Sequence, residues 1–174
     1  LLFGAEGGII DHRKGYDLLL KAISYLRDDF SAKNLELVVF GQFQPQHFPN
    51  LGFPIHFTGH LYDNLSLRAL YSAADVFALP SRIDNLPVTC MEAISCGTPV
   101  VAFNYSGPPS MIEHQSNGFL AKAFDEEDFA SGIRWIVNQD VEEIRKVVRN
   151  YAVKRFSHSP VVEQYIKLYN SVLG

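Results

Sequence analysis

The chain has 174 residues, of which 47% are hydrophobic and 20% are charged, with a formal net charge of −4. This size and hydrophobic content suffice for one compact core, so we expect a single domain over residues 1–174. The acidic balance argues against nucleic acid or an anionic membrane as the main partner, and no apolar run approaches the ~20 residues of a transmembrane segment.

The start of the chain and its two cysteines indicate the context of the protein. The chain begins with Leu1 inside an apolar run, without a signal peptide, and we expect a fragment whose N-terminal portion is missing. Cys90 and Cys96 are predicted to lie on different faces of one helix, about 9 Å apart along its axis. They predict neither a disulfide nor a zinc site, and a reducing, cytoplasmic location is the simplest interpretation.

The first half of the chain alternates between apolar strands and amphipathic helices. Leu19, Ala22, Ile23 and Leu26 have the one-face spacing of a helix. The predicted elements are strands at 1–5, 35–40 and 54–58, a loop at 6–15, and helices at 16–26 and 65–74, the last with Asn64 as its N-cap.

The second half continues the alternation. It predicts a strand at 75–79, a loop at 80–85, a helix at 86–96, a strand at 100–103, a turn at 104–109, one helical turn at 110–113, a strand at 119–121, a helix from an Asp125 cap to 137, and helices at 141–155 and 162–173. Most strands are continuously apolar, which is typical of a parallel sheet covered on both faces. The fold class is therefore α/β with a doubly wound parallel sheet, in which ligands bind at the carboxyl ends of the strands.

Common catalytic and cofactor signatures are absent. The sequence contains no G-x-G-x-x-G after the first strand, no P-loop, no H-E-x-x-H and no G-x-S-x-G. Its six histidines are scattered, so no metal site is predicted. What remains is a loop that carries Asp84 and leads into a helix N-terminus, where free N–H groups favour an anion, with Glu92 farther along that helix.

Each of these residues also has an ordinary structural explanation. Asp84 fits a turn or helix cap, Glu92 a surface helix position, and Lys14 a solvated loop. Ser81 and Thr89 are as well explained by hydrogen bonds within the loop and helix as by a ligand. Only their joint occurrence favours a site.

The run from Pro80 to Val101 resembles the signature of family 4 retaining glycosyltransferases with the GT-B fold. The matching positions are Pro80, Ser81, Asp84, Glu92, Ala93, Gly97, Pro99, Val100 and Val101. Further landmarks follow in the family's order at Lys14–Gly15, Gly41, Gly59, Ala74–Val76 and Asn117–Gly118. The resemblance spans essentially the whole chain and implies the Rossmann-like C-terminal, donor-binding half of a GT-B fold.

The resemblance also implies roles for individual residues. Glu92 would bind the ribose, while Asp84 and Lys14, the candidate catalytic residues, would contact the transferred sugar and the diphosphate. The backbone that follows Asp84, at Asn85, Leu86, Pro87 and Val88, would approach the sugar and diphosphate. The strand ends at Gly4, Gly41 and Gly59, together with Tyr62, would complete the donor site.

Two departures from the family pattern stand out. The first acid is Asp84, where the family usually has glutamate, so its reach toward the sugar is shorter. Ala5 follows Gly4, where the family usually has an arginine that contacts the diphosphate. Either Arg13 or the missing domain could supply that charge.

The resulting prediction is the donor-binding domain of a retaining glycosyltransferase that uses a UDP- or GDP-sugar without metal or other cofactor. The acceptor, a sugar or lipid-linked sugar, would be bound by the missing N-terminal domain, and the fragment alone should turn over little or nothing. A bacterial polysaccharide or glycoconjugate pathway in the cytoplasm is expected, with a peripheral membrane position of the full-length protein left open. The alternatives are a GT-B nucleotide-sugar 2-epimerase and a non-catalytic nucleotide-sugar-binding domain.

Overall fold

A computed structural model describes residues 1–5, 10–27 and 35–173. The predicted loop at 6–15 lies partly outside the described residues, as does the segment that precedes the second predicted strand. Within the described part of the chain, no helix combines the length and the apolar character that crossing a membrane requires.

The described chain contains a six-stranded sheet in which every pairing is parallel. Its strands are β1 (Leu2–Ala5), β2 (Leu37–Gly41), β3 (Ile55–Gly59), β4 (Phe77–Leu79), β5 (Val100–Phe103) and β6 (Gly118–Ala121). Their spatial order is β3-β2-β1-β4-β5-β6, so the direction of winding reverses between β1 and β4. The predicted doubly wound fold is confirmed, and its topological switch point lies between these two strands.

Helices cover the sheet in two groups. The helices are α1 (Tyr16–Ser24), α2 (Asn64–Ala73), α3 (Val88–Ser95), α4 (Glu126–Val137), α5 (Val141–Phe156) and α6 (His158–Leu173). One group contains α1 and α4, and the other contains α2, α3 and α5. The central strands β4 and β5 are buried at every position. Their apolar runs are therefore explained by burial on both faces.

Helix caps explain two boundaries, one of which was predicted wrongly. The Asp125 carboxylate accepts a hydrogen bond from the backbone N–H of Asp128 and starts α4 as predicted. The N-cap of α2 is Asp63 and not Asn64. Asp63 has extended backbone and accepts from the N–H of Ser66, whereas Asn64 is already helical.

The helix of the central motif starts two residues later than predicted. It begins at Val88 rather than at residue 86, because Leu86 precedes a proline and the residue before a proline is disfavoured in the helical region. Pro87 is the N-cap, with φ −64° and ψ 110°. The helical turn predicted at 110–113 lies two residues earlier, as a short 3-10 helix at Pro108–Ser110, and α6 starts at His158, four residues before its predicted start.

At Gly132, α4 packs closely against the sheet. A Cβ at this position would lie 2.5 Å from the buried Phe119 ring and 2.9 Å from a methyl group of Val101. Alanine favours a helix by about 1 kcal/mol over glycine, but overpacking a core costs about 1–3 kcal/mol. We expect Gly132→Ala to lower the free energy of unfolding in urea, whereas Ser131→Ala, at the half-buried neighbouring position, should change it by less than about 0.5 kcal/mol.

Candidate functional site

A cavity of about 250 Å³ opens at the carboxyl ends of β1 and β4, which is the switch point of the sheet. It is lined by Phe3, Gly4, Lys14, Ala78, Leu79, Pro80, Ser81, Asp84, Leu86, Pro87, Val88 and Thr89. Six of the residues predicted for the site are thus brought together around one cavity.

The turn that carries Lys14 approaches the loop after β4 very closely. Residues His12–Lys14 form a short 3-10 helix that Gly15 ends with φ +68°. A Cβ at Gly15 would lie 1.9 Å from the carbonyl oxygen of Pro80, so only glycine allows this approach. The contact places the Lys14 side chain at the cavity.

The two candidate catalytic residues form an ion pair with each other. The Lys14 Nζ lies 2.9 Å from Oδ2 of Asp84, and the two side chains are 29% and 16% exposed. Solvent and salt screen a partly buried ion pair less than a fully exposed one. An anionic ligand that binds Lys14 therefore has to compete with the Asp84 carboxylate.

Arg82 fastens the Lys14 turn to the Asp84 loop. Its guanidinium donates to both carboxylate oxygens of Asp17, at 2.7 and 2.6 Å, and to the carbonyl of His12 at 3.0 Å. Its backbone N–H donates to the carbonyl of Arg13 at 2.7 Å. Sequence reasoning missed this residue because its partner Asp17 is 65 positions away and no local pattern links the two.

The turn after β5 holds the Asp84 loop from the other side. The N–H of Gly107 and the hydroxyl of Ser106 donate to the carbonyl of Asp84, at 2.8 and 3.0 Å. A Cβ at Gly107 would lie 2.0 Å from the carbonyl oxygen of Asn85. The Asp84 backbone is thus fixed between two loops. The only sequence signal for the contact with the turn after β5 was Gly107, a residue that permits close backbone approach.

The start of α3 supplies backbone donors to the cavity. The N–H groups of Val88 and Thr89 lack intrahelical acceptors by position, and both residues line the cavity. Pro87 has no backbone N–H, so it cannot donate a hydrogen bond to a ligand and only helps to shape the cavity wall. Leu86 lines the cavity as well, whereas Asn85 is exposed beside it.

Glu92 lies on α3 outside the residues that line the cavity. Its Oε2 accepts a hydrogen bond of 3.0 Å from the hydroxyl of Tyr71, a side chain that is 1% exposed. Burial raises the pKa of Tyr71, and the nearby Glu92 carboxylate adds to that shift, so Tyr71 stays a hydrogen-bond donor. An ionised carboxylate offers about four acceptor sites, so Glu92 keeps capacity for a further donor.

The remaining predicted residues are not gathered at the cavity. Arg13 forms a two-point contact with Asp11, at 2.9 and 2.8 Å, and its side chain is 72% exposed. Gly41 and Gly59 end β2 and β3 with positive φ angles along the same edge of the sheet. Tyr62 is 90% exposed.

Two further features of the described residues bear on the site. No group of three or more His, Cys, Asp or Glu side chains among them is arranged to hold a metal ion. A larger cavity of about 520 Å³ lies at the opposite, amino-terminal edge of the strands, against Leu1, Leu35 and Val76. None of the predicted site residues lines it, and ligands of parallel α/β sheets bind at the other edge.

Comparisons with known proteins agree with this architecture. Residues 8–155 match the family model described as "Glycosyl transferases group 1". The chain belongs to the group 1 glycosyltransferase family.

Curated relatives include a glycosyltransferase of Haemophilus influenzae, 30% identical over 129 residues, which are 72% of this chain and 36% of that protein. Mannosylfructose-phosphate synthase of Agrobacterium fabrum is 31% identical over 145 residues, 72% of this chain and 32% of the relative. The group 1 glycosyltransferase chain thus spans about a third of the length of these relatives.

The Rossmann-like fold of this chain also occurs in solved structures of GT-B glycosyltransferases. HepE of Anabaena, in complex with UDP-glucose, superposes with a TM-score of 0.73 at 22% identity, over 98% of this chain and 48% of its own. Sucrose-phosphate synthase of Thermosynechococcus elongatus gives a TM-score of 0.73 at 24% identity, over 99% of this chain and 45% of its own.

The Arg82–Asp17 contact makes the stability of this glycosyltransferase domain depend on pH. Hydrogen bonds from Arg82 hold the pKa of Asp17 below its usual range. The ionised form is therefore favoured in the folded state, and this stabilisation is present above the unfolded pKa of about 3.9 and lost as the pH falls through the lower folded value.

We expect Asp17→Asn to lower the free energy of unfolding at pH 7 by about 1 kcal/mol or less, since the Asp17 side chain is 50% exposed and solvent screens the pair. The difference from the wild type should shrink in urea titrations below about pH 4. Glu142→Gln, at an exposed pair with Lys146, should show little effect at either pH. A difference for Asp17→Asn that grows on acidification would contradict the assignment.

Proposed function

We propose that the chain is the donor-binding domain of a retaining glycosyltransferase that takes a UDP- or GDP-sugar. The observation that carries the proposal is the Lys14–Asp84 pair in the lining of the switch-point cavity, together with the start of α3. A cation, helix-start N–H groups and a carboxylate around one cavity match the parts of a nucleoside-diphosphate sugar: a charged diphosphate and a hydroxyl-rich ring.

The diphosphate would bind between Lys14 and the start of α3. Binding would draw the Lys14 ammonium from Asp84 to the phosphate oxygens, while the N–H groups of Val88 and Thr89 donate from the other side. When the bond between sugar and diphosphate breaks, negative charge grows on the departing phosphate. Donors that are already oriented stabilise this charge most in the transition state, and here the contacts of Arg82 and Gly15 fix the backbone from which the Lys14 side chain extends.

Asp84 would take a second role once Lys14 leaves it. Its carboxylate is then free to accept hydrogen bonds from hydroxyls of the transferred sugar. Its backbone is fixed by Ser106 and Gly107, so the shorter aspartate side chain acts from a defined position.

Glu92 would bind the ribose hydroxyls. The hydrogen bond from Tyr71 orients the carboxylate, because the buried ring of Tyr71 has little freedom to move. The remaining acceptor sites of Glu92 suit a vicinal diol. Gly41, Gly59 and Tyr62 belong to the proposed base side of the site, which lies along the same edge of the sheet beyond the cavity. Arg13 is the second candidate cation for the diphosphate, and its guanidinium would have to leave Asp11 as Lys14 leaves Asp84.

The acceptor would be bound elsewhere in the full-length protein. The cavity of about 250 Å³ is smaller than the ~300–1,000 Å³ that is usual for a ligand site, so this chain would form one wall of a larger cleft. The chain also spans only about a third of the relatives' length. We therefore place the acceptor sugar or lipid-linked sugar, and the completed chemistry with retention, on a second domain that precedes this one.

The proposal assigns charge neutralisation to Lys14 and the α3 amides, and gives no role to a metal or other cofactor. It places the enzyme in the cytoplasm, in bacterial polysaccharide or glycoconjugate synthesis. Cys90 and Cys96 are both free thiols, as a reducing compartment favours.

Removing the Lys14 ammonium separates the diphosphate contact from the rest of the site. Lys14→Ala should weaken the binding of UDP or GDP by about 1.5–3 kcal/mol, the usual size of a hydrogen bond to a charged group. The binding of uridine or guanosine should not change. Isothermal calorimetry on the chain measures both, and Lys21→Ala, at an exposed ion pair on α1, is the matched control.

Glu92→Ala tests the ribose contact. It should weaken the nucleoside and the nucleoside diphosphate alike, by on the order of 1–3 kcal/mol, because a polar contact common to both is lost. Tyr71→Phe keeps the carboxylate and removes only the donor that orients it, so its effect should be smaller. If Glu92→Ala left both affinities unchanged, the ribose assignment would be wrong.

A product assay on the full-length protein tests the reaction class. Incubation with donor alone should give little turnover, whereas a suitable acceptor should receive a sugar with retained anomeric configuration. Conversion of the donor into a 2-epimer without any acceptor would identify the epimerase instead.

A further inference from the structure

Ser81 is an exception among the buried polar side chains of the described residues. It is 4% exposed, and its Oγ has no hydrogen-bond partner. The other two, Thr98 and Asn117, are both paired: the Thr98 hydroxyl donates to the carbonyl of Tyr71, and the Asn117 amide donates to the carbonyl of Met111. An unpaired buried hydroxyl lowers the free energy of unfolding, so the Ser81 hydroxyl destabilises the folded chain unless a partner is supplied.

Ser81 lines the switch-point cavity, together with Lys14 and Asp84. The loop around it is fixed on both sides, by the contacts of the following residue Arg82 and by those of the Asp84 carbonyl. A missing partner within such a firmly held loop cannot be attributed to a loose segment. The partner is therefore expected to come from outside the chain.

The neighbours of Ser81 indicate what kind of ligand supplies that partner. The Lys14 ammonium and the N–H groups at the start of α3 surround the cavity with donors that favour an anion. A hydroxyl adds one further donor to this set, and phosphate oxygens accept several hydrogen bonds at once. The Ser81 Oγ is shielded from solvent, and the ion pair between Lys14 and Asp84 lies in the lining of the same cavity.

We propose that the Ser81 hydroxyl donates a hydrogen bond to a phosphate oxygen of the bound nucleoside diphosphate, which reaches it as Lys14 leaves Asp84 for the ligand. This inference rests on the proposed function of the cavity. Ser81 would then be a residue that binds the nucleotide sugar and contacts the diphosphate, the group on which negative charge develops.

The decisive variant is Ser81→Ala, because affinity and stability should change in different ways. Calorimetry on the 174-residue chain should show that UDP and GDP bind about tenfold or more weakly, the size expected for a hydrogen bond to a charged group. Uridine and guanosine should bind as to the wild type. The melting temperature without ligand should stay the same or rise, because the variant removes a hydroxyl that has no partner.

Thr98→Val is the stability control. It removes a buried hydroxyl that does have a partner, so its melting temperature should fall. A comparable fall for Ser81→Ala, or equal affinities of Ser81→Ala and wild type for UDP and GDP, would overturn the inference and leave the proposed function standing. A loss confined to the sugar-bearing donor, with UDP and GDP unaffected, would also overturn it. If the wild type bound neither UDP nor GDP, the proposed function itself would fail.

Discussion

The candidate site depends on the docking of two loops that follow neighbouring strands, the Lys14 turn after β1 and the Asp84 loop after β4. Gly15 lets the first lie against the carbonyl of Pro80, and Arg82 joins the two through its side chain and its backbone. The reversal of winding between β1 and β4 brings these loops to the same place in the sheet. The charged groups of Lys14 and Asp84, which are far apart in sequence, thereby lie 2.9 Å from each other.

The sheet order and the electrostatics of the site are linked. Because β4 and β5 are buried on both faces, their backbones are held firmly, and the loops at their carboxyl ends start from fixed positions. The Asp84 loop then needs only a few contacts, from Ser106, Gly107 and Arg82, to hold its shape. The Lys14–Asp84 pair is thus held in a defined geometry in which each charge satisfies the other.

The sequence allowed most of the fold to be predicted, because continuous apolar strands and amphipathic helices have distinct periodicities. It also brought Lys14, Asp84 and the start of α3 into one hypothesis, through the resemblance of the central motif to a known family. Three features could not be predicted from local pattern. The Arg82–Asp17 and Tyr71–Glu92 contacts join residues that are 65 and 21 positions apart, and only the folded chain shows that Ser81 has no partner. The start of α3 differs from the prediction because the apolar spacing that predicts the helix does not include the restriction that Pro87 places on the backbone of Leu86.

The central claim is that a nucleoside diphosphate binds at the carboxyl ends of β1 and β4. An amide chemical-shift titration of the isotopically labelled chain with UDP and with GDP tests it most directly. The account predicts that at least one of them shifts the amide signals of His12–Gly15, Ser81–Asn85 and Val88–Thr89 in a saturable way. Signals from Leu2, Val76 and Ile144, around the cavity at the opposite edge, should stay unchanged. Saturable shifts confined to that opposite edge, or no shifts with either nucleotide, would contradict the account.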